Sequence, residues 1–124
     1  MNQLFLKSGA ILAGSSVALG AFGAHTFKDA LQKAGNLETY ETAARYQMYG
    51  ALALVIVGIL TDKIPHKFLT WAGYAFIVGT IIFSGSLFLI CATGVKMWGA
   101  VAPIGGTGLM LGWIFFFMAI KKAV

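Results

Sequence analysis

The charged residues of this chain fall at the edges of four long apolar stretches, and that spacing limits its fold more than any other feature. The stretches cover about residues 4–24, 44–61, 68–92 and 101–120. A helix rises about 1.5 Å per residue, so about 20 residues carry it across the hydrocarbon of a bilayer. The second stretch is the shortest, with only residues 46–61 between the charges of Arg45 and Asp62. Arg45 extends it by reaching its guanidinium out to the interface. No stretch alternates apolar and polar residues with period two, which sets aside a membrane barrel. Only 10% of the residues are charged and 59% are hydrophobic, whereas soluble domains carry about 25% charged residues. A chain of 124 residues cannot hide that much apolar surface from water, so lipid is its solvent. The expected fold is all-α: a polytopic membrane protein, one domain over residues 1–124, with four transmembrane helices in a bundle.

The net charge of +5 does not point to nucleic acid, because the lysines and the arginine are scattered at span ends, where membrane proteins place them. The single cysteine, Cys91, excludes an internal disulfide. No metal site and no cofactor are expected. Ala21-Phe22-Gly23 resembles a small-x-small cleavage site, but the chain begins at Met1 and the first stretch is read as a retained span. With four spans, both termini share a face with the loop 61–67. Lys7, Lys63, Lys67, Lys121 and Lys122 lie on that face; Lys28, Lys33, Arg45 and Lys96 lie on the other. The excess, one residue, places the termini in the cytoplasm by the positive-inside rule.

Residues 26–43 form the one sizeable segment outside the spans. Thr26 and Asp29 have capping-box spacing, and Phe27, Ala30, Leu31 and Ala34 share a helical face that Gly35 can end. This predicts a short interfacial helix. Asn36 is placed to cap a second helix that continues into the second span, and Glu41 and Arg45 are an i,i+4 pair in the favourable order. Pro103 suits a first helical turn; if the fourth helix begins earlier, at Met97, Pro103 kinks it.

No ionisable residue lies in the middle of a span, which argues against a proton pump or an ion-coupled transporter. No catalytic triad or paired carboxylates are evident, and His66, beside Pro65, reads as a solvated loop histidine. The polar side chains within the spans are Ser15, Ser16, Gln47, Thr80, Ser84, Ser86 and Thr107, with the phenols of Tyr46, Tyr49 and Tyr74. Such groups bond across helices or back to their own carbonyls. Small residues are concentrated around them. Ala10-Gly14-Ala18 and Ser16-Gly20-Ala24 are small-xxx-small rows, and Gly108 to Gly112 is a GxxxG. Gly14, Gly20, Gly23, Gly85, Gly105, Gly106, Gly108 and Gly112 are the candidate helix-packing positions.

Four stretches together, "GAFGAH" at 20–25, "RYQMYGALAL" at 45–54, "FSGSL" at 83–87 and "APIGG" at 102–106, resemble one family. It is the group of small membrane proteins known as domain of unknown function 423 or uncharacterised protein family 0382, to which transmembrane protein 256 is similar. The resemblance implies a four-span bacterial plasma-membrane protein and no particular activity. Many members place histidine directly after the aromatic at Tyr49, where this chain has Gly50, so a role for paired histidines here and at His25 is not carried over.

Because the helices alternate in direction, all four stretches fall in the half of the bilayer nearest residues 26–44. His25, Arg45, Tyr46, Gln47, Tyr49, Ser84 and Ser86 are therefore the candidate polar cluster or pocket. A filled cluster supports a scaffold, and a cavity beside Tyr49 and Gly50 supports a binding site. The leading functional reading is a non-catalytic structural or interaction protein, packed through small residues and self-associating among membrane lipids. The alternatives are a small carrier or oligomeric pore with a hydroxyl-lined pocket, and an interfacial enzyme directed at a lipid or quinone, with His25, Arg45 and Tyr49 as its polar groups.

Overall fold

The computed structural model describes residues 1–123. Its helices are α1 (Gln3–Ala24), α2 (Lys28–Ala34), α3 (Leu37–Leu60), α4 (Lys67–Thr93) and α5 (Ala102–Ala123), with a 3₁₀ helix at Lys96–Ala100 before α5. Among the described residues there is no strand. Four helices, α1, α3, α4 and α5, are long and apolar enough to cross a membrane. α1 packs on α3, α3 on α4 and α4 on α5, while α1 and α5 share no seam. The spans thus pack in their order along the chain.

Helix ends follow local chemistry. Asn2 caps α1, its Oδ1 accepting from the Phe5 amide at 3.1 Å. The Asn2 amide donates to Gly58 O at 3.0 Å, tying the start of α1 to the end of α3, and the terminal amine of Met1 pairs with Asp62. Gly35 and Gly94 end α2 and α4 with φ of 75° and 72°, the left-handed region that glycine enters without steric penalty. Pro103 lies in the first turn of α5 and the preceding 96–100 segment is a separate 3₁₀ helix, so no kink is required.

Two expected side-chain caps are corrected. The Thr26–Asp29 capping box does not form: Phe27 occupies the cap of α2 and makes no side-chain bond. Asn36 holds the cap position of α3, also without a side-chain bond. His66 is the half-exposed loop residue that precedes α4. Its Nδ1 accepts from the Phe68 amide at 3.1 Å and so caps α4, satisfying one of the amides that a helix start leaves unpaired. α3 runs unbroken from Leu37 to Leu60, so the helix that starts after Asn36 continues into the second span.

The apolar core lies toward the membrane face that carries the termini. Phe5, Ala53, Leu54, Val57, Leu69, Ala72, Phe76 and Ala119 are its buried members. Phe5 fills the space that Gly73 leaves open, and a Cβ at Gly73 would overlap its ring. Its ring also meets Tyr74 edge-on, with centroids 5.2 Å apart. Lipid supplies little hydrophobic drive between helices, so this close fit holds the seam through dispersion contacts.

Candidate functional site

The side-chain hydrogen bonds between helices lie in the other half of the bundle and are organised by α3. Gln47 is buried, and its Nε2 donates to Leu12 O at 2.9 Å and to Ser15 Oγ at 2.7 Å, both on α1. Ser84 Oγ, from α4, donates to Ala43 O at 2.8 Å. Tyr40 donates its phenol to Leu19 O at 2.5 Å, and its ring occupies the space where a Cβ at Gly23 would lie. α3 is therefore bonded to α1 on one side and to α4 on the other. Ser86 bonds locally, to Phe83 O at 2.8 Å.

These groups do not form one cluster. His25 is exposed at the end of α1, where its backbone amide approaches Ala21 O and Phe22 O and its side chain has no hydrogen bond among the described residues. Arg45 is exposed, and no Glu41–Arg45 ion pair occurs among the described residues. Gln47 turns to α1 while Tyr46 and Tyr49 turn toward α5. The physical reason is helical phase: successive residues differ by about 100° around the axis, so 45, 46 and 47 cannot share one face.

Tyr46, Tyr49 and Gly50 line a cavity of about 500 Å³, open on one side, between α3, α4 and α5. Phe76 and Phe83 form its α4 wall; Pro103, Gly106, Thr107, Leu109, Met110 and Trp113 form its α5 wall. Tyr46 packs on Tyr49 and Phe83 with centroids 5.4 and 5.1 Å apart, and Phe76 meets Trp113 at 5.0 Å. Ser84 and Ser86 take no part in it. Thr107 turns its hydroxyl back to Pro103 O at 2.9 Å, so the lining is mostly carbon and ring. A second apolar cavity, about 590 Å³, lies under α2 between Leu19, Phe27, Leu31, Tyr40, Phe88 and Cys91. Among the described residues no group of histidine, cysteine, aspartate or glutamate could hold a metal ion.

The glycines divide into two groups. At Gly112 an added Cβ would lie 2.7 Å from the Phe76 ring, and at Gly79 it would lie 2.7 Å from Leu109 N. A Cβ at Gly105 would run into the backbone of Phe83, and one at Gly108 would lie 3.1 Å from Gly79 Cα. Gly106 is roomier: a Cβ there would lie 3.7 Å from the Phe83 ring. In contrast, Gly14, Gly20 and Gly85 have nothing within 4 Å, so no helix of this chain packs on them. Sequence reasoning missed Gly9, Gly58, Gly73, Gly79 and Tyr40, and it singled out Gly50 without a packing role. Gly50 admits Thr80, whose buried Oγ1 has no hydrogen-bond partner among the described residues. No spacing signal marked these glycines, since each answers to particular atoms of another helix, Val55 and the Ala51 carbonyl at Gly9, Thr80 at Gly50, Leu6 and Phe5 at Gly58, and Phe5 at Gly73.

Fold and lining together define an all-helical, four-span membrane protein with a laterally open apolar cavity. The chain belongs to the family described as protein of unknown function (DUF423), whose model matches residues 19–106. It is 38% identical over 120 residues to a UPF0382 membrane protein of Staphylococcus aureus, covering 97% of each chain. It is 36% identical over 121 residues to the UPF0382 membrane protein YwdK of Bacillus subtilis, covering 97% of this chain and 98% of that one. No solved structure matches it.

Proposed function

We propose that this chain is a non-catalytic interaction protein of the bacterial plasma membrane that self-associates through the outer face of α1. The observation that carries this reading is Gly14. It stands in the row Ala10-Gly14-Ala18, exposed at all three positions, and a side chain there would touch nothing within 4 Å. Glycine inside a helix costs about 1 kcal/mol relative to alanine. At Gly73 and Gly112 the missing side chain admits an aromatic ring of a neighbouring helix. At Gly14 the corresponding neighbour is a second copy, approaching closely across the small row. The buried bonds of Gln47 and Ser84 support a packing role for the polar groups. Relatives named as membrane proteins of Staphylococcus and Bacillus support the location.

The test is the mass of the detergent-solubilised and nanodisc-embedded chain by light scattering. The native protein and an Ile104→Leu control are expected to be oligomeric, and Gly14→Leu to be a folded monomer. A monomeric native protein overturns the reading. Solute flux in proteoliposomes would favour a carrier or pore instead, and turnover of a co-purified lipid or quinone would favour an enzyme.

A further inference from the structure

We propose that the cavity between α3, α4 and α5 is a binding site for one acyl chain of an anionic phospholipid, with Arg45 meeting the headgroup phosphate. The site is separate from the α1 face and does not depend on self-association. Its volume, about 500 Å³, falls in the usual range of ligand sites. Its shape selects a chain over a compact solute. On α5 the lining runs from Pro103 to Trp113, which is about 15 Å at 1.5 Å per residue. That is about half of the roughly 30 Å hydrocarbon core, the depth of a single leaflet. Pro103 stands in the first turn of α5, so the slot starts at the membrane face and runs toward the midplane.

The polar groups sit where a headgroup would be. Tyr46 and Tyr49 line the α3 side, and their hydroxyls have no hydrogen bond among the described residues. A phenol suits this depth, with its ring in hydrocarbon and its hydroxyl toward the interface. Arg45 does not line the cavity itself; it lies one turn nearer the interface than Tyr49 and about 40° around α3 from it, so its long side chain reaches the mouth rather than the slot. It is exposed and forms no ion pair among the described residues, even with Glu41 one turn further out. Its planar fork of donors matches a phosphodiester. The glycine at position 106 keeps the slot open: its Cβ would make only ordinary contact with Phe83, but a longer side chain would enter the cavity.

The test uses the full chain with Trp71→Phe and Trp98→Phe, so that Trp113 in the slot is the sole tryptophan. It is reconstituted into phosphatidylcholine vesicles containing a minority of phosphatidylglycerol, with bromine on the acyl chains of one lipid or the other. Brominated phosphatidylglycerol should quench Trp113 with a relative affinity about fivefold above brominated phosphatidylcholine, which is about 1 kcal/mol. Arg45→Gln should bring the ratio to about one, while Lys28→Gln, on the same membrane face but on α2, should leave it. Gly106→Leu should remove the preference by filling the slot; Thr107→Leu serves the same purpose if that variant does not fold. Equal quenching by the two lipids overturns the proposal. So does an equal loss in Arg45→Gln and Lys28→Gln, which would mark diffuse surface charge, or a preference that survives filling of the slot. Absence of quenching by either lipid also overturns it, because a second copy would then cover this face.

Discussion

Gln47 of α3 donates its carboxamide hydrogens to Leu12 O at 2.9 Å and to Ser15 Oγ at 2.7 Å, one residue bridging two sites on α1. Polar side-chain bonds between membrane helices average about 0.6 kcal/mol, because the unfolded helix in the bilayer also finds partners. Gln47→Leu should therefore destabilise the fold only modestly. A double-mutant cycle with Ser15→Ala should give a coupling of about 0.6 kcal/mol, measured by denaturing detergent titration. A coupling of zero would mean that the bond does not hold the α1–α3 seam.

Gly73 and Phe5 are predicted to be strongly coupled. A Leu at 73 would overlap the fully buried Phe5 ring, and overpacking of this kind costs about 1–3 kcal/mol. Shortening the ring should relieve it. Gly73→Leu with Phe5→Ala should be more stable than the sum of the two single losses predicts, in the same titration.

Thr80→Val is predicted to stabilise the protein. Thr80 Oγ1 is buried against Gly50 without a hydrogen-bond partner. Valine keeps the shape and removes the unsatisfied hydroxyl, a gain of about 1 kcal/mol. A loss of stability would reveal a partner for the hydroxyl, such as a bound water.

The termini are predicted to be cytoplasmic. Cysteines introduced at Asn2 and Asn36 in a Cys91→Ala background should differ in labelling by an impermeant maleimide on intact cells. Asn36→Cys should react and Asn2→Cys should be protected. The reverse pattern would overturn the orientation.

The four spans and the short helix ended by Gly35 were legible because each depends on local composition and backbone chemistry, whereas Pro103 was compatible with either a helix start or a kink until the separate 3₁₀ helix at Lys96–Ala100 decided it. The gathering of polar residues was less so. Alternating helix directions gave the depth of Gln47, Tyr49 and Ser84 but not their azimuth, which decides whether they meet. Gln47 faces α1, Tyr49 lines the open cavity and Ser84 reaches Ala43 O. The small rows showed a similar limit. Spacing identified Gly14 and Gly112 equally well, yet Gly112 meets the Phe76 ring and Gly14 meets nothing in this chain. Tyr40 escaped notice because its partners, Gly23 and Leu19 O, are supplied by a helix that only the tertiary fold brings near.

The packing order α1–α3–α4–α5 bears on how the protein is made. Each span finds its main partner in the span just before or after it along the chain. A segment leaving the ribosome can therefore dock on its predecessor at once, without waiting for the C-terminal helix to close a ring. Contacts of short sequence separation are also the ones with the least loop entropy to overcome. A nascent chain stalled after α4 should already hold the Gln47–Leu12 and Ser84–Ala43 bonds, leaving α5 to complete only the last seam and the wall of the cavity.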